Sequence, residues 1–314
     1  MKQFLSINDV ANPQKLVGEA LKLKANPLGY TQLGKNKTLG LLFFNASLRT
    51  RMSTQRAAQN LGMEVMIMNM DKEGWQLEFE EKVIMNGASQ EHIKEAAAVV
   101  SQYCEIIGIR TFSTLDNREE DYSEMILNAF VLNASVPIIS LESATLHPLQ
   151  TLTDWMTIEE YKKKDKPKVV LSWAPHSKAL PQAVANSFVQ WIQKAPVELV
   201  ITHPKDYELA PEFSNGATIE YDQNKAFENA DFIYAKNWSS YTHYGKVLSQ
   251  DTSWTITEEK MSLTNNAAFM HCLPVRRNMV VSDEVLDNGN SLVIQQSENR
   301  IYAAQAVLKS ILER

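Results

Sequence analysis

Two cysteines, Cys104 and Cys272, are all that the 314 residues contain, and they stand far apart. That excludes a disulfide scaffold and a zinc–cysteine cluster, and makes a reduced cytoplasm the default expectation. No apolar run approaches the roughly 20 residues of a membrane helix. The stretch from Met1 to Val10 meets polar residues too early for a signal peptide. Positive charge is not in excess: 31 Lys and Arg face 37 Asp and Glu, a net charge of −6, so no nucleic-acid-coating surface is expected. There is no Gly-x-x-x-x-Gly-Lys loop, which counts against a nucleoside triphosphate. No internal repeat or low-complexity tract is visible. No Ser–His–Asp or Cys–His spacing points to a covalent intermediate. The composition, 44% hydrophobic and 22% charged, is that of an ordinary globular chain, and its length has room for two α/β domains.

One absence is local. Between Ala20 and Met63 there is no Asp or Glu, while Lys22, Lys24, Lys35, Lys37, Arg49, Arg51 and Arg56 all fall there. In an acidic chain this is either a solvated surface stretch or a basic field for a small anion. Elsewhere short apolar strands alternate with amphipathic helices, which predicts two domains, each a parallel sheet flanked by helices. Strands are expected at Thr38–Phe44, Glu64–Met68, Glu105–Arg110 and Pro137–Ser140, with helices at Glu91–Tyr103 and Tyr122–Leu132. Further strands are expected at Lys168–Trp173, Val197–Thr202, Ala217–Tyr221, Asp231–Ala235, Ala268–His271 and Ser291–Ile294. Val184, Phe188 and Trp191 recur at helical spacing over Pro181–Gln193, and Ile301, Ala304, Leu308 and Ile311 share a face of a last helix, Arg300–Leu312. The segment Leu146–Lys164, with Pro148 suited to a first turn, reads as the helix connecting the domains. Lys162–Pro167 reads as a solvated turn after it.

In open parallel sheets ligands bind at the C-terminal ends of strands. After Phe44 comes Asn45-Ala-Ser-Leu-Arg-Thr50. Ser47 is suited to N-cap a helix whose stripe begins with Leu48, Met52 and Ala58. Free N–H groups, the Ser47 and Thr50 hydroxyls and the forked Arg49 guanidinium make this a phosphate-binding arrangement. The other strand ends carry Gly74-Trp75, Arg110, Glu142, His147-Pro-Leu-Gln150, His176, Lys236, His271-Cys-Leu-Pro274 and Glu298-Asn-Arg300. Each has an ordinary structural reading by itself; their convergence on strand ends points to a site. Thr50, Arg110 and His147 can donate to a carbonyl oxygen that gains charge in a tetrahedral transition state. Gln150, Cys272 and the Leu273 carbonyl can orient N–H groups.

These residues resemble the aspartate/ornithine carbamoyltransferase family. Ser47-Leu-Arg-Thr50 is similar to its carbamoyl-phosphate loop, His147-Pro-Leu-Gln150 to its His-Pro-x-Gln motif, and His271-Cys-Leu-Pro274 to its His-Cys-Leu-Pro motif, in the family's order over nearly the whole chain. The resemblance implies a carbamoyl-phosphate domain over 1–146, completed by a returning helix at 298–314, and an amino-acceptor domain over 147–297. It implies a homotrimer with shared sites, and neither metal nor organic cofactor. Within the family, Trp173-Ala-Pro-His-Ser-Lys-Ala-Leu-Pro-Gln-Ala-Val184 and Ala235-Lys-Asn-Trp238 resemble the acylornithine branch, in which the Trp of the Gly-Trp loop reaches the neighbouring subunit's carbamoyl phosphate. That role would fall to Trp75.

The implied activity is carbamoyl transfer from carbamoyl phosphate to the δ-amine of an Nα-acylornithine, in arginine biosynthesis. Ser47, Leu48, Arg49, Thr50, Trp75, Arg110, His147, Gln150, Cys272, Leu273 and Arg300 would hold carbamoyl phosphate. Glu142, His176, Lys236, Cys272, Leu273 and Gln90 would hold the acceptor. A succinyl rather than acetyl group is expected, because neutral Gln90 repels a carboxylate less than a Glu there would. Lys236 replaces the Asp with which ornithine enzymes meet the substrate's α-ammonium, and like charges disfavour free ornithine. The alternatives are a carbamoyltransferase for ornithine or another amine, and a silent regulatory homologue that only binds carbamoyl phosphate.

Overall fold

The computed structural model describes residues 1–314. The chain divides into two compact units. The first comprises Met1–Thr114, Glu119–Leu149 and Arg300–Arg314; the second comprises Leu115–Arg118 and Gln150–Asn299.

The first unit runs α1 (Pro13–Ala25), β1 (Thr38–Phe43), α2 (Leu48–Asn60), β2 (Glu64–Asn69), β3 (Leu77–Glu78), β4 (Glu91–His92), α3 (Ile93–Tyr103), β5 (Ile106–Arg110), α4 (Arg118–Tyr122), α5 (Met125–Asn133) and β6 (Ile138–Glu142). α6 (Pro148–Tyr161) then carries the chain into the second unit, the boundary falling between Leu149 and Gln150. The sheet is parallel, in the order β2-β1-β5-β6. β1, β5 and β6 are buried along nearly their whole length because both faces are covered, whereas β2 alternates exposed and half-buried residues. Beneath them Leu42, Ile93, Ala97, Ile107, Ile109, Leu127 and Phe130 form a buried cluster. Gly62 closes the turn after α2 at φ +82°; a Cβ there would lie 2.0 Å from the Thr31 carbonyl oxygen, so only glycine fits.

The second unit runs β7 (Lys168–Trp173), α7 (Ala183–Ile192), β8 (Glu198–Thr202), α8 (Pro211–Ser214), β9 (Thr218–Glu220), α9 (Gln223–Phe227), β10 (Phe232–Lys236), α10 (Glu258–Met261), β11 (Ala268–Met270) and α11 (Asp283–Leu286). Its parallel sheet is ordered β11-β10-β7-β8-β9. α12 (Val293–Leu312) begins here, and from Arg300 onward belongs to the first unit. There Gln305 accepts from Asn60 (3.1 Å) and donates to the Pro27 carbonyl, and Lys309 meets Glu19 at 3.0 Å.

Several expected elements shift. Ser291–Ile294 is not a strand: Ser291 makes one isolated bridge to Phe269, and α12 starts at Val293. A four-residue apolar run satisfies either period, and the long buried helix that follows decides it. The helix expected from Glu91 starts at Ile93, because Glu91 and His92 pair with Leu77 and Glu78, and the His92 ring accepts from the Lys94 N–H. The helix expected over Tyr122–Leu132 is broken at Glu124, whose backbone is left-handed at φ 50°. α2 buries Thr50, Thr54, Ala57 and Ala58, while Leu48 and Met52, expected on its buried stripe, are 69% and 64% exposed. That face of α2 is an apolar surface. α1 carries the start signals of a helix, an Asn12 cap accepting from the Lys15 N–H and Pro13 in the first turn.

Ile107 is fully buried on a central strand. Ile107→Ala should therefore lower unfolding free energy by about 2–5 kcal/mol, measured by urea denaturation; a loss below about 1 kcal/mol would show that the sheet collapses around the missing atoms.

Candidate functional site

In each sheet the chain order reverses at one place: between β1 and β5 in the first, between β7 and β10 in the second. Crevices open at the C-terminal ends of strands at such points.

In the first unit the switch point holds the loop before α2. Ser47 occupies the N-cap with extended backbone but makes no side-chain cap bond. Its hydroxyl is therefore not committed to the helix, and the first N–H groups of α2 face the same place, a setting for an anion. Thr50, buried on the first turn, accepts a 2.7 Å hydrogen bond from Arg300 Nη2. Register places Phe43, Arg110 and Glu142 side by side at the ends of β1, β5 and β6. The buried Arg110 donates through Nε (3.1 Å) and Nη2 (2.7 Å) to Glu142 Oε2, and through Nη1 to the carbonyls of Asn45 and Ala46, both at 3.1 Å. The two Nη1 bonds hold the anion loop against β5, and Nη2 keeps one further hydrogen. The His147 ring is buried with Nε2 3.8 Å from Glu142 Oε2. Glu142, expected among the acceptor's ligands, uses one oxygen, Oε2, for Arg110.

A residue that sequence reasoning missed sets the approach to His147. Glu124 accepts from Ser143 Oγ, the Ala144 and Thr145 N–H groups and Thr145 Oγ1, at 2.5–3.2 Å. Its left-handed backbone aims the carboxylate at that loop. A left-handed Glu inside an apolar helical pattern gives no sequence signal.

Trp75 does not pack under its loop. It is 54% exposed, and its indole N–H donates to Glu91 Oε2 at 2.9 Å. Exposed Gln90 lies on the same loop, its N–H donating to the Gln76 carbonyl.

In the second unit Lys236 ends β10 beside Trp173, which ends β7. Lys236 is buried rather than solvent-facing, and its Nζ donates to the Asn237 carbonyl at 2.9 Å. Asn237 Nδ2 in turn donates to the Ala174 carbonyl. The half-buried His176 accepts at Nε2 from Arg276 Nε at 3.0 Å, and its Nδ1 lies against the Lys178 backbone, 3.0 Å from the carbonyl oxygen and 3.1 Å from the N–H nitrogen. Burial, and then the charges of Arg276, Lys236 and Lys178, press the His176 pKa below its usual value. Arg276 was not anticipated, although it stands two residues beyond the His271-Cys-Leu-Pro274 motif. Within that motif Leu273 takes a left-handed backbone at φ 54°, and its N–H donates to His271 Nδ1. A strained non-glycine residue of this kind marks a functional turn. Gln150 and the buried Asp154 lie one turn apart on α6 and are joined by a 2.7 Å hydrogen bond. No group of three His, Cys, Asp or Glu side chains is gathered as a metal would require.

The first unit thus offers an anion site and the second a pocket with Lys178, Lys236 and Arg276 around His176 and fixed backbone carbonyls, a pair of features that suits transfer of an acyl-type group from an acyl phosphate to an amine. The family model for the aspartate/ornithine carbamoyltransferase carbamoyl-P binding domain matches residues 2–160, and that for the Asp/Orn binding domain matches residues 181–311. The chain belongs to the aspartate/ornithine carbamoyltransferase family. It is 51% identical to N-succinylornithine carbamoyltransferase of Bacteroides fragilis, over 100% of this chain and 99% of that one. It is 32% identical to N-acetylornithine carbamoyltransferase of Xanthomonas axonopodis pv. citri, over 99% and 96%. Among solved structures, a single-residue variant of N-acetyl-L-ornithine transcarbamylase complexed with carbamyl phosphate and N-succinyl-L-norvaline superposes with a TM-score of 0.91 at 31% identity, covering 99% of this chain and 100% of that one.

Because the folded state lowers the His176 pKa, it binds fewer protons than the unfolded chain near the ordinary imidazole value of about 6.5. The stability this contributes is present above that value and is lost as pH falls through the folded pKa. NMR titration of His176 should give a midpoint below 6.5, and Arg276→Ala, by removing a positive neighbour, should raise it; a midpoint at or above 6.5 in the wild type contradicts the arrangement.

Proposed function

We propose that the chain transfers the carbamoyl group of carbamoyl phosphate to the δ-amine of N-succinyl-L-ornithine, giving N-succinylcitrulline and phosphate as a step of arginine biosynthesis in the cytoplasm. The observation that carries this reading is the 51% identity, over the full length, to an N-succinylornithine enzyme, against 32% to an N-acetylornithine one. The positive charges of Lys178, Lys236 and Arg276 gathered at His176 support it, since N-succinylornithine brings two carboxylates and no α-ammonium.

Ser47, Leu48 through its N–H, Arg49 and Thr50 hold the phosphate at the N-terminus of α2. Thr50, Arg110 and His147 donate to the carbonyl oxygen, which gains charge as the amine adds. Arg300 fixes Thr50 for this through the bond between them. Gln150, Cys272 and the Leu273 carbonyl orient the carbamoyl NH2 and the attacking amine. The amine nitrogen bonds to the carbonyl carbon, the bond from that carbon to the phosphate oxygen breaks, and the departing phosphate takes the proton. Glu142, His176 and Lys236 receive the acceptor, with Gln90 near its acyl end. The working form is a homotrimer in which Trp75, exposed on its loop, completes the carbamoyl-phosphate site of the neighbouring subunit. The exposed Leu48 and Met52 are apolar surface that such an assembly would cover.

Steady-state kinetics with ornithine, Nα-acetylornithine and Nα-succinylornithine at saturating carbamoyl phosphate test the acceptor. Succinylornithine should give the highest kcat/KM and ornithine the lowest; the reverse order would return the chain to the ornithine enzymes, and no product with any amine would favour the silent homologue.

The shared site has its own test. Arg49→Ala and Trp75→Ala should each be inactive alone, the first through loss of a forked phosphate contact. Mixing the two with subunit exchange should restore activity in hybrid sites. No recovery after verified exchange would confine Trp75 to its own subunit.

A further inference from the structure

One buried carboxylate, outside every motif named so far, ties together the two groups assigned to the carbamoyl NH2. Asp154 lies one turn beyond Gln150 on α6 and has no solvent exposure. Its Oδ1 accepts from Gln150 Nε2 and from Gln296 Nε2, both at 2.7 Å. Gln296, on α12, uses its other end: Oε1 accepts from the His271 N–H at 3.0 Å. His271 Nδ1 then accepts from the N–H of Leu273, the left-handed residue of that turn, at 2.9 Å. The Tyr234 hydroxyl, fully buried, adjoins both Asp154 and Cys272, and burial followed by the Asp154 charge keeps it protonated.

The chemistry of the carboxylate decides which way these amides point. An Asp carboxylate has only acceptor atoms, so a glutamine beside it must turn its NH2 inward. Gln150 therefore carries its carbonyl oxygen on the side away from Asp154. Gln296, with its NH2 spent on the same oxygen, can only accept from the His271 N–H, which fixes the start of the His271-Cys272-Leu273 turn. Both effects yield acceptors, and a carbamoyl group differs from an acetyl group of nearly the same shape by having an NH2 that needs acceptors.

We propose that Asp154 is a positioning residue for donor selection: by claiming the NH2 ends of Gln150 and Gln296 it presents the Gln150 and Leu273 carbonyl oxygens to the carbamoyl NH2, so that acyl phosphates lacking that NH2 are refused. This rests on the assignment of Gln150 and Leu273 to carbamoyl phosphate. Asp154 never touches the substrate. A donor with a methyl group in place of the NH2 would leave two carbonyl oxygens unpaired, the situation in which sites built around a substrate N–H discriminate most strongly.

The test reads binding, so that it does not depend on the acceptor. Dissociation constants for carbamoyl phosphate and acetyl phosphate are measured by calorimetry on the full chain, beside acylcitrulline formation and thermal melting. The wild type should prefer carbamoyl phosphate. Asp154→Asn can turn an NH2 toward either glutamine and free it to reverse, and should cut that preference at least about tenfold. Gln150→Glu sets two carboxylates face to face and should bind carbamoyl phosphate more weakly still. Asp154→Asn combined with Gln150→Glu rebuilds the N–H···O bond in the opposite direction while still presenting an oxygen to the NH2. It should recover at least about tenfold over Gln150→Glu alone. An unchanged preference in Asp154→Asn, or a double variant no better than the sum of its single losses, overturns the proposal. If Asp154→Asn does not fold, the comparison of Gln150→Glu with the double variant decides. A wild type that discriminates between the two phosphates yet forms no acylcitrulline would leave donor selection intact and count against the proposed function instead.

Discussion

The first unit is organised around a buried guanidinium. Arg110 ends β5, and its hydrogen bonds reach Glu142 at the end of β6 and two carbonyls of the loop that leaves β1. Three strand ends are thereby fixed to one planar group. A long side chain in a low-dielectric position is costly unless its charge is paired and its N–H groups are used, and removing one partner of such a pair costs about 3–5 kcal/mol. Here the pairing does more than offset the cost of burial. It ties the loop before α2 to the end of β5 and, through Glu142, to the end of β6, five residues before His147. The loop from Ser143 to Thr145 is fastened separately by Glu124. Anion loop and histidine are thus placed by contacts that exist before any ligand arrives, which is how electrostatic catalysis avoids reorganisation during the reaction.

The second unit applies the same economy to neutral groups. Backbone carbonyls and glutamine amides have no charge to attract a ligand, so their value lies in direction alone. A glutamine side chain free to rotate presents donor and acceptor indifferently; one held by a carboxylate presents one of them. The chain from Asp154 through Gln296 and His271 to Leu273 passes that constraint from α6 to the turn after β11.

Much of this was legible from the residues. Nine of the parallel strands lie where alternation of apolar strands and helices placed them, because strands buried on both faces leave contiguous apolar runs. The strand-end rule led to Ser47, Thr50, Arg110, Lys236 and Leu273, since local sequence determines where strands stop. What escaped is what depends on contacts distant in sequence. Asp154 is an unremarkable polar residue on a helix until Gln296, 142 residues away, meets it. Arg276 looks like one of a surface pair, yet it bonds to His176 while Arg277 clamps Asp283 and Asp287. The stripe on α2 was misread because its buried face is made of Thr and Ala, which apolar periodicity does not count, while its exposed face carries Leu48 and Met52.

Charge in the second unit gives the last step. Burial first, and then the charges of Arg276, Lys236 and Lys178, hold the His176 pKa below its usual value. The same field acts on any ligand. A free α-ammonium entering near Lys236 would meet the same positive charges, and the buried Lys236 cannot swing into solvent to relieve the repulsion. Acylation removes that ammonium, and a dicarboxylic acyl group replaces one positive charge with a negative one. The proposed preference for such an acceptor thus needs only the charge the fold has already assembled there, and a single contact to the acyl group would sharpen it.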